Sequence, residues 1–387
     1  MPYYVKLGKV PPKRHITFYK DDGVSLYREE LFSTKGFSSI YSNKYHIHLP
    51  TEVEKIDEIK VFNDEMWDNA PIMYYHFMTD KKQTAGNFLS ARQLFMKNAN
   101  CRISTAHVTE DCDFFYKNSH MSELVFVHHG NGKLLSEYGV LEFKQWDYLI
   151  IPKGTIYQMK FDSYDKVKLF IVESTTPFDI PRHFRNEYGQ LTEEAPYYER
   201  DFRPPSHLDP KDEAGEFRIV MNLAGRHFEY KVPHHPFDVV GWDGFLYPYA
   251  FNIADYAPKV GKLHLPPPVH LTFTTGNFVV CSFCPRLFDF HPEAVPAPYF
   301  HSNVDSDEVL YYVDGDFMSR SGIVEGSVTL HPMGIPHGPQ PGRTEASIGK
   351  KETYEYAVMV DTFTPLYVTT NVKETLVAGY ENSWITK

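Results

Sequence analysis

A spaced set of six residues occurs twice in this chain of 387 residues, and it limits the possible folds more than any other feature. The later copy reads Glu-x6-Gly and then Gly-x5-Pro-x-Gly-x2-His, with its residues at Glu308, Gly315, Gly326, Pro332, Gly334 and His337. The earlier copy keeps the spacing, with Trp in the third place and Tyr in the last: Glu123, Gly130, Trp146, Pro152, Gly154 and Tyr157. This repetition predicts that each half of the chain folds into one small antiparallel barrel. Only the later copy keeps side chains that could bind a metal ion.

Short apolar runs separated by turn residues indicate that these barrels are built from β-strands. Runs rich in Val, Ile, Phe and Tyr, such as 123–128 and 308–313, alternate with Gly, Pro, Asn and Asp. With 28 Pro and 23 Gly in the chain, we predict an all-β fold of two barrels with few short helices. The best helix candidates are 51–63, which begins with a Pro-Thr cap signal, and 91–98.

The boundary between the two units is expected in a stretch rich in Pro and charged residues. Residues 195–216 contain Arg-Pro-Pro and Asp-Pro-Lys-Asp-Glu and have the weakest strand pattern. We therefore predict an N-terminal arm with a degenerate barrel over 1–205, and over 206–387 the barrel that keeps the full residue set and is expected to be catalytic.

The composition restricts the partners and the compartment of the protein. Asp and Glu number 50 against 39 Lys and Arg, a net charge of −11, and no basic block occurs, so neither nucleic acid nor an anionic membrane is an expected partner. No apolar run approaches the roughly 18 residues of a membrane span, and the first residues lack the apolar core of a signal peptide. Four Cys residues are too few for a disulfide framework. These features predict a cytoplasmic protein.

The later copy of the pattern, together with one upstream His, offers the ligands of a metal site. A strand pair would direct His301 and Glu308 inward, and the turn shaped by Pro332 and Gly334 would bring His337 opposite them. Two neutral imidazoles and one carboxylate on one side of an ion leave other positions open. That arrangement is typical of non-haem Fe(II) oxygenases, because substrate and O2 must both reach the metal. The spacing resembles the two-part motif of the cupin superfamily.

Two segments of the second half resemble the homogentisate 1,2-dioxygenase family in particular. Residues 298–308, Pro-Tyr-Phe-His-Ser-Asn-Val-Asp-Ser-Asp-Glu, resemble the segment in which that family has a His and a Glu iron ligand. Residues 330–339, Leu-His-Pro-Met-Gly-Ile-Pro-His-Gly-Pro, resemble the segment with its third ligand. Three N-terminal segments, 1–4, 11–15 and 36–39, resemble a shorter bacterial branch of the same family.

The resemblance implies an activity and a role for individual residues. His301, Glu308 and His337 would bind Fe(II), and His264, in a His-x2-Pro segment, would be the catalytic base that accepts a ring-hydroxyl proton. The substrate-binding residues would be Tyr299, His331, Phe317 and Arg320. The implied reaction is cleavage of homogentisate by O2 to maleylacetoacetate, a step of tyrosine and phenylalanine breakdown. Because the family forms hexamers built from trimers, a homo-oligomer (trimer or hexamer) is expected.

Three positions concern the choice of substrate. Phe317 stands where the family often has a pocket Tyr, so one hydroxyl donor is absent, and Pro296 stands where the family has an Arg. Arg320 is near enough in sequence to offer a cation to a substrate carboxylate instead.

Two assignments stay open between neighbouring residues. The carboxylate ligand could be Asp307, which restores the commonest family spacing, or Glu308, which keeps the interval to Gly315 and is favoured. His270 rivals His264 as the base, because two strand residues six apart share a face. The His-x2-Pro segment favours His264.

Three other functions fit the same ligands. The first is a related dioxygenase that acts on another hydroquinone-type or gentisate-like acid. The second is a cupin isomerase that holds zinc or manganese, because a set of ligands does not determine which metal binds. The third is a two-barrel protein without catalytic activity. Three further pairs are interpreted as packing or solvated residues, for want of a complete ligand set: His46-x-His48, Cys281-x2-Cys284 and His128-His129.

Overall fold

β-sheets, antiparallel except for one parallel strand pair among the described residues, form the framework of the computed structural model, which describes residues 2–60, 65–265 and 267–386. Its strands, in chain order, are β1 Val5–Gly8, β2 Arg28–Ser33, β3 Tyr41–His46, β4 Asp57–Ile59, β5 Tyr75–Met78, β6 Arg92–Lys97, β7 Cys101–Val108, β8 Phe115–Asn118, β9 Ser122–His129, β10 Gly132–Ser136, β11 Gly139–Phe143, β12 Asp147–Ile151, β13 Ile156–Phe161, β14 Val167–Ser174, β15 Ala214–Leu223, β16 Arg226–His234, β17 Val239–Gly244, β18 Tyr249–Asn252, β19 Leu271–Thr274, β20 Phe278–Phe283, β21 Arg286–Leu287, β22 Asp307–Gly315, β23 Ser327–His331, β24 Glu352–Thr353, β25 Glu355–Thr362 and β26 Tyr367–Val368. The helical segments are short: α1 Arg343–Ser347, and 3-10 turns at Thr79–Lys81, Arg182–Phe184, Glu199–Asp201, Ile253–Asp255, Pro267–His270, Thr370–Thr375 and Tyr380–Asn382. None of the helices in the described ranges is long and apolar enough to cross a bilayer. The predicted all-β class with few short helices is confirmed.

Both predicted helices are wrong, because each segment contributes a strand to a sheet. Within 51–63 the structure has β4, which pairs with β16, and residues 61–63 lie outside the described residues. Within 91–98 it has β6, which pairs with β7 on one side and with β26 on the other. Hydrogen bonds to other strands, β16 and β26 distant in sequence and β7 next along the chain, outweigh the local helical pattern.

The sequence repeat reappears as a repeat of backbone conformation. Three positions of the pattern have a positive φ in both copies: Gly130 and Gly315 (120° and 111°), Trp146 and Gly326 (71° and 76°), and Gly154 and Gly334 (88° and 75°). Glycine adopts these angles without steric cost, whereas a Trp must be held there by its surroundings. The Trp146 ring packs against Tyr356 with centroids 4.5 Å apart. The two halves therefore follow the same chain path through strand, turn and strand.

The first barrel is formed by two seven-stranded sheets around an apolar interior. Their strand orders are β11-β10-β13-β8-β15-β16-β4 and β18-β12-β9-β14-β7-β6-β26. Val125 and Leu149 from the second sheet meet Leu134 and Met159 from the first in one buried cluster. Each such side chain stabilises the fold by about 1.5–3 kcal/mol when it leaves water.

The second sheet of the first barrel is buried on both faces, because its outer face packs against the other barrel. In β9, Val125 and Val127 point into the first barrel, whereas Leu124 and Phe126 belong to the larger core cluster between the barrels. Tyr311 of β22 meets this cluster from the other side and stacks on Phe170 at 4.5 Å. Alternation of side chains along the strand thus assigns one face to each core.

The second barrel is built on a six-stranded sheet with the order β19-β20-β25-β22-β23-β5. In β22, Val309, Tyr311 and Val313 point to the core between the barrels. Glu308 therefore points the other way, into the second barrel. The fold is that of a two-barrel cupin.

Strands are exchanged between the two halves of the chain. From the first half of the chain, β5 pairs with β23 of the second barrel. From the second half, β15, β16, β18 and β26 join the two sheets of the first barrel. Strand β17, also from the second half, joins the N-terminal sheet, whose order is β1-β17-β3-β2. The division of the chain into 1–205 and 206–387 stays a prediction, and the pairings show that each half contributes strands across that position.

A network of buried charged side chains stabilises the N-terminal sheet and joins it to Glu137 and Asp238. Lys44 Nζ lies 2.6 Å from Glu30 and 2.8 Å from Glu137. His46 contacts Asp238 through Nδ1 at 2.7 Å and Glu30 through Nε2 at 3.0 Å. Because both nitrogens of this imidazole are occupied by carboxylates, the structure gives His46 a packing role.

This network predicts a pH-dependent contribution to stability. Burial opposes a charge on His46, but its hydrogen bonds to Asp238 and Glu30 outweigh burial and raise its pKa from 6.5 to about 9. A proton bound more tightly in the folded state stabilises it below the unfolded pKa, and this contribution is lost as the pH rises through 9. We expect His46→Ala to lower the unfolding free energy by about 3 kcal/mol at pH 6, as for a broken buried ion pair, and by clearly less at pH 10, measured by denaturant titration.

His48→Ala is the matched control, because its partner Asp212 is 70% exposed. Exposed pairs contribute about 0–1 kcal/mol, so its loss should be small at both pH values. An equal loss for His46→Ala at pH 6 and pH 10 would contradict the charge argument.

Candidate metal centre

Three side chains predicted as metal ligands converge inside the second barrel. His301 precedes β22, Glu308 is the second residue of β22, and His337 follows β23. The backbones of His301 and His337 are joined by two hydrogen bonds, N to O, of 2.8 and 2.9 Å. Glu308 is fixed opposite His331 by the pairing of β22 with β23. The fold thus determines the position of all three residues through main-chain contacts.

The ligand atoms face one another at short range. Glu308 Oε2 lies 3.5 Å from His301 Nε2, and Glu308 Oε1 lies 3.4 Å from His337 Nε2. The candidate ligand atoms of the three residues all lie within 4.8 Å of one another. Two bonds of about 2.1 Å at right angles would separate their ligand atoms by about 3 Å, so small shifts suffice for one ion to contact all three.

Both imidazoles are held in the tautomer that a metal requires. Nδ1 of His301 donates to the carbonyl of Tyr299 at 3.2 Å, and Nδ1 of His337 donates to the carbonyl of Ile335 at 3.0 Å. A carbonyl only accepts, so Nδ1 carries the hydrogen and Nε2 keeps its lone pair. In each case the carbonyl belongs to the residue two positions earlier.

The side chains fit a divalent cation better than they fit one another. The Nε2 atom of His337 is buried and has no hydrogen-bond partner. Burial alone raises the pKa of the Glu308 carboxyl, but contacts with His301, His331 and His337 outweigh it and hold that pKa well below its usual range. The imidazoles lower this pKa as proton donors, and a divalent ion between Glu308 and the Nε2 atoms of His301 and His337 would supply the same positive charge in place of their protons.

A second layer of residues holds the carboxylate in place. The Nδ1–H of His331 donates to Glu308 Oε1 at 2.7 Å, and its Nε2 accepts from the hydroxyl of Tyr380 at 3.2 Å. Burial lowers the pKa of His331 to about 4, so its ring is neutral near pH 7. Both of its nitrogens are engaged. The substrate-binding role given to His331 stays a prediction, and its contacts make it a positioning residue for Glu308.

The loop that carries His337 is fastened by residues that the sequence analysis did not find. The hydroxyl of Tyr74 donates to the carbonyl of Pro336 at 2.6 Å. The carbonyl of Gly338 accepts from Trp384 Nε1 at 3.0 Å. Tyr74, Tyr380 and Trp384 lie far from the motif in sequence, so no local signal could have identified them.

The two candidate carboxylates point to opposite sides of β22. Glu308 meets the imidazoles, whereas Asp307 accepts from the backbone N–H groups of Met333 at 2.7 Å and Leu366 at 2.6 Å. The choice of Glu308 as ligand stays a prediction, which this geometry supports, because Asp307 is already used to fix the turn after β23.

A cleft of about 340 Å³ contains the predicted base and is bordered by Tyr299 and Phe300, which precede His301, although none of the three candidate ligands lines it. In this cleft the half-exposed ring of His264 contacts the ring of Tyr299 edge-on, with centroids 5.0 Å apart. The centroid of the Tyr299 ring is in turn 6.2 Å from that of His301. Nδ1 of His264 lies 3.4 Å from a carboxylate oxygen of Asp289. The rival His270 instead packs on Phe283 at 4.8 Å, and burial lowers its pKa to about 3.

Two predicted substrate-binding residues are buried next to the centre. Phe317 lies edge-on to Tyr312 at 4.7 Å in a small apolar cluster. Arg320 donates to the carbonyl of Gly338 and lies over the Trp384 ring. The cleft that contains His264 is lined by Lys262, which offers an ammonium group. Arg320 is not among the described residues that line this cleft. Their substrate contacts stay predictions.

The corresponding position of the first barrel has a guanidinium where a metal would be. Glu123 accepts from Arg92 Nη1 at 2.6 Å and from the Tyr157 hydroxyl at 2.7 Å. Both of its carboxylate oxygens are therefore satisfied by protein donors. In the first barrel Tyr157 replaces the last His of the pattern, and the guanidinium of Arg92 supplies the positive charge next to Glu123.

Two antiparallel barrels, one of which brings two imidazoles and a carboxylate together, define a two-barrel cupin with a candidate metal centre. The sequence profile of the family described as "Homogentisate 1,2-dioxygenase N-terminal" matches residues 66–253. A protein of Saccharolobus solfataricus named "Putative dioxygenase SSO1533" is 41% identical over 389 residues, which cover 100% of both chains. The chain belongs to the homogentisate 1,2-dioxygenase family, a family of dioxygenases, and the resemblance stated from the sequence is confirmed.

More distant relatives and solved structures complete the comparison. A homogentisate 1,2-dioxygenase of Bradyrhizobium diazoefficiens is 27% identical over 281 residues, covering 68% of this chain and 61% of that protein. A cupin 2 conserved barrel domain protein from Leptotrichia buccalis has a TM-score of 0.32 at 11% identity, with 82% and 99% of the chains covered. An oxalate decarboxylase variant of Bacillus subtilis has a TM-score of 0.36 at 10% identity, with 76% and 78% covered.

The contact between His331 and Glu308 leads to a prediction about metal affinity. His331→Leu keeps the volume of the side chain approximately but removes the donor to Glu308, so the carboxylate loses its fixed orientation. We expect the affinity for Co²⁺ or Fe²⁺ to fall about 10- to 100-fold, as for other partners of metal ligands. Anaerobic calorimetric titration of the metal-free protein measures it.

Tyr380→Phe should give a smaller loss, because it removes only the hydroxyl that holds the far side of His331. His183→Leu, at an exposed His far from the centre in sequence, is the control and should bind as the wild type does. Unchanged affinity in His331→Leu would contradict the positioning role.

Proposed function

We propose that this protein is an Fe(II)-dependent ring-cleaving dioxygenase that converts homogentisate and O2 to maleylacetoacetate in tyrosine and phenylalanine catabolism. The observation that carries the proposal is the convergence of His301, Glu308 and His337 on one point, with both Nε2 atoms directed at the carboxylate of Glu308. Membership of the homogentisate 1,2-dioxygenase family supports the same activity. The proposed setting is cytoplasmic and the proposed assembly a homo-oligomer.

Three residues would hold the iron and leave part of its surface open. A carboxylate and two imidazoles bind divalent iron on one face, and the bound ion would supply the open positions and the electron exchange with O2. His301 is 30% exposed at its side chain, whereas His337 is fully buried, so access is from the His301 side. The cleft with Tyr299 and His264 is on that side.

His264 would accept a hydroxyl proton from the aromatic ring. If its Nδ1–H donates to Asp289, Nε2 carries the lone pair and can act as a base, as an imidazole does near neutral pH. Loss of that proton makes the ring electron-rich. Both oxygen atoms of O2 enter the product, whose composition is that of homogentisate plus O2, so the reaction needs no external reductant.

The carboxylate group of the substrate requires a cationic or polar partner in the cleft. Lys262, which lines the cleft together with His264, is the proposed cation, and the carboxylates of Asp289 and Glu293 line the same cleft. Because Phe317 is packed in an apolar cluster and offers no hydroxyl, a related hydroquinone-type or gentisate-like acid is the second candidate substrate.

O2 uptake tests the activity and the substrate together. Protein reconstituted anaerobically with Fe²⁺ should consume one O2 per homogentisate, and the metal-free protein should consume none. His337→Ala should abolish uptake, because it removes a ligand whose Nε2 has no other partner. Gentisate and unsubstituted hydroquinone should react more slowly than homogentisate.

Faster uptake on gentisate would move the assignment to the second candidate. No uptake on any of these compounds by iron-loaded protein, or full occupancy by zinc or manganese without oxygenase activity, would refute the dioxygenase proposal.

A comparison of two His variants tests the base. His264→Ala should lower kcat by about 10²- to 10⁴-fold, the usual contribution of general base catalysis, while the affinity for Fe²⁺ stays unchanged. His270→Ala is the matched control, because His270 is buried against Phe283 and should affect stability more than kcat. Steady-state kinetics from pH 5 to 9 and metal titrations measure both. If His270→Ala loses more kcat than His264→Ala, His270 is the base and the assignment of His264 is wrong.

A further inference from the structure

A second group of metal-binding side chains lies outside the candidate centre, where the first barrel meets the second. It consists of His128 and His129, at the end of β9, and Glu325, in the turn before β23. The Nε2 atoms of His128 and His129 lie 3.2 and 2.6 Å from the same oxygen, Oε1, of Glu325. We call these three residues the seam cluster.

A β-bulge explains how two consecutive residues of a strand reach the same oxygen. Side chains of successive strand residues normally point to opposite faces. In the ladder between β14 and β9, Lys168 pairs with His129 and Leu169 pairs with Val127, so His128 is the extra residue of the bulge. The imidazole rings of His128 and His129 stack at 4.3 Å as a result. Bulges of this kind redirect side chains at functional positions.

Each side chain of the seam cluster is held from behind. The Nδ1 atom of His128 lies 2.6 Å from the Tyr311 hydroxyl, and Nδ1 of His129 lies 3.3 Å from the Gln145 amide. The turn after Glu325 is fixed through Gly326, whose N–H donates to the Tyr312 carbonyl at 2.8 Å. The two imidazoles are therefore positioned before any ion binds, and the backbone that carries Glu325 is fixed beside them.

The donor atoms of the cluster suit a cation. Two imidazole nitrogens and one carboxylate oxygen face a common point within contact distance of one another. The nearby Lys168 is balanced by Asp80 at 2.7 Å.

The cluster also leaves room for further ligands from solvent. His128 is buried, but His129 and Glu325 have side chains that are 35% and 51% exposed. A bound ion would complete its coordination with water on that side. Two imidazoles and one carboxylate are typical ligands of zinc and of the other borderline divalent metals.

We propose that His128, His129 and Glu325 bind a second divalent cation of the zinc type, which ties the end of β9 in the first barrel to the turn before β23 in the second. The role of this ion is structural. It does not depend on the dioxygenase activity, because none of the three residues belongs to the candidate catalytic centre.

Metal counting tests the proposal. Metal-free protein dialysed against excess Zn²⁺ and then against buffer should retain two equivalents by elemental analysis, one at each cluster. Glu325→Gln and His129→Ala should retain one, His337→Ala should retain one, and the double variant Glu325→Gln/His337→Ala should retain none. His15→Ala is the matched control, because His15 also contacts a carboxylate, Glu29 at 3.2 Å, but is exposed, and it should retain two.

Thermal unfolding provides a second readout that does not rely on stoichiometry. Zn²⁺ should raise the midpoint of His337→Ala by a few degrees through binding to the folded state, and the rise should vanish in Glu325→Gln/His337→Ala. If His337→Ala binds no Zn²⁺ and gains no stability, the seam cluster is only a hydrogen-bonded group and the proposal is wrong. The same holds if Glu325→Gln still retains both equivalents.

Discussion

A buried carboxylate that faces a barrel interior requires a positive partner, and the second barrel depends on how this requirement is met. Glu308 and Glu123 occupy equivalent places in the two copies of the repeat. Around Glu123 the partner is a guanidinium, from Arg92, with a hydroxyl from Tyr157. Around Glu308 the nearest groups are three imidazoles, of which His331 is kept neutral by burial. An uncompensated charge at such a site costs several kcal/mol, so the same position has become a structural ion pair in one barrel and a candidate metal centre in the other.

The sequence distinguishes the two copies of the pattern because the relevant information is local. The spacing between Glu, Gly, Pro and His is set by strand length and turn conformation, and the turn positions keep a positive φ in both copies, even where Gly326 is replaced by Trp146. Glu308 and His337 could therefore be named as candidate ligands from the repeated spacing, whereas His301 lies upstream of the repeated set. Alternation along β22 also separates Glu308 from Asp307, although the sequence left that choice open.

What the sequence could not predict depends on contacts between distant segments. The segments 51–63 and 91–98 carry helical signals, but β4 and β6 gain more from sheet pairing, which includes the distant strands β16 and β26, than a short helix would gain alone. Tyr74, Tyr380 and Trp384 reach the centre from both ends of the chain, and no spacing rule connects them with His337. The His128-His129 pair has a similar explanation, because the bulge that aligns its rings arises from the register of β14.

The exchange of strands makes the two barrels one mechanical unit around β23. One end of this strand follows Glu325, which contacts the first barrel through His128 and His129, and its other end is His331, which holds Glu308. Along its length β23 pairs with β22 and with β5, the latter contributed by the first half of the chain. Because β23 is five residues long and paired on both sides, the contact of Glu325 with the first barrel and the contact of His331 with Glu308 lie at the two ends of one short strand. The first barrel therefore contacts the strand that orients the carboxylate of the candidate metal centre, although it lacks the ligands itself.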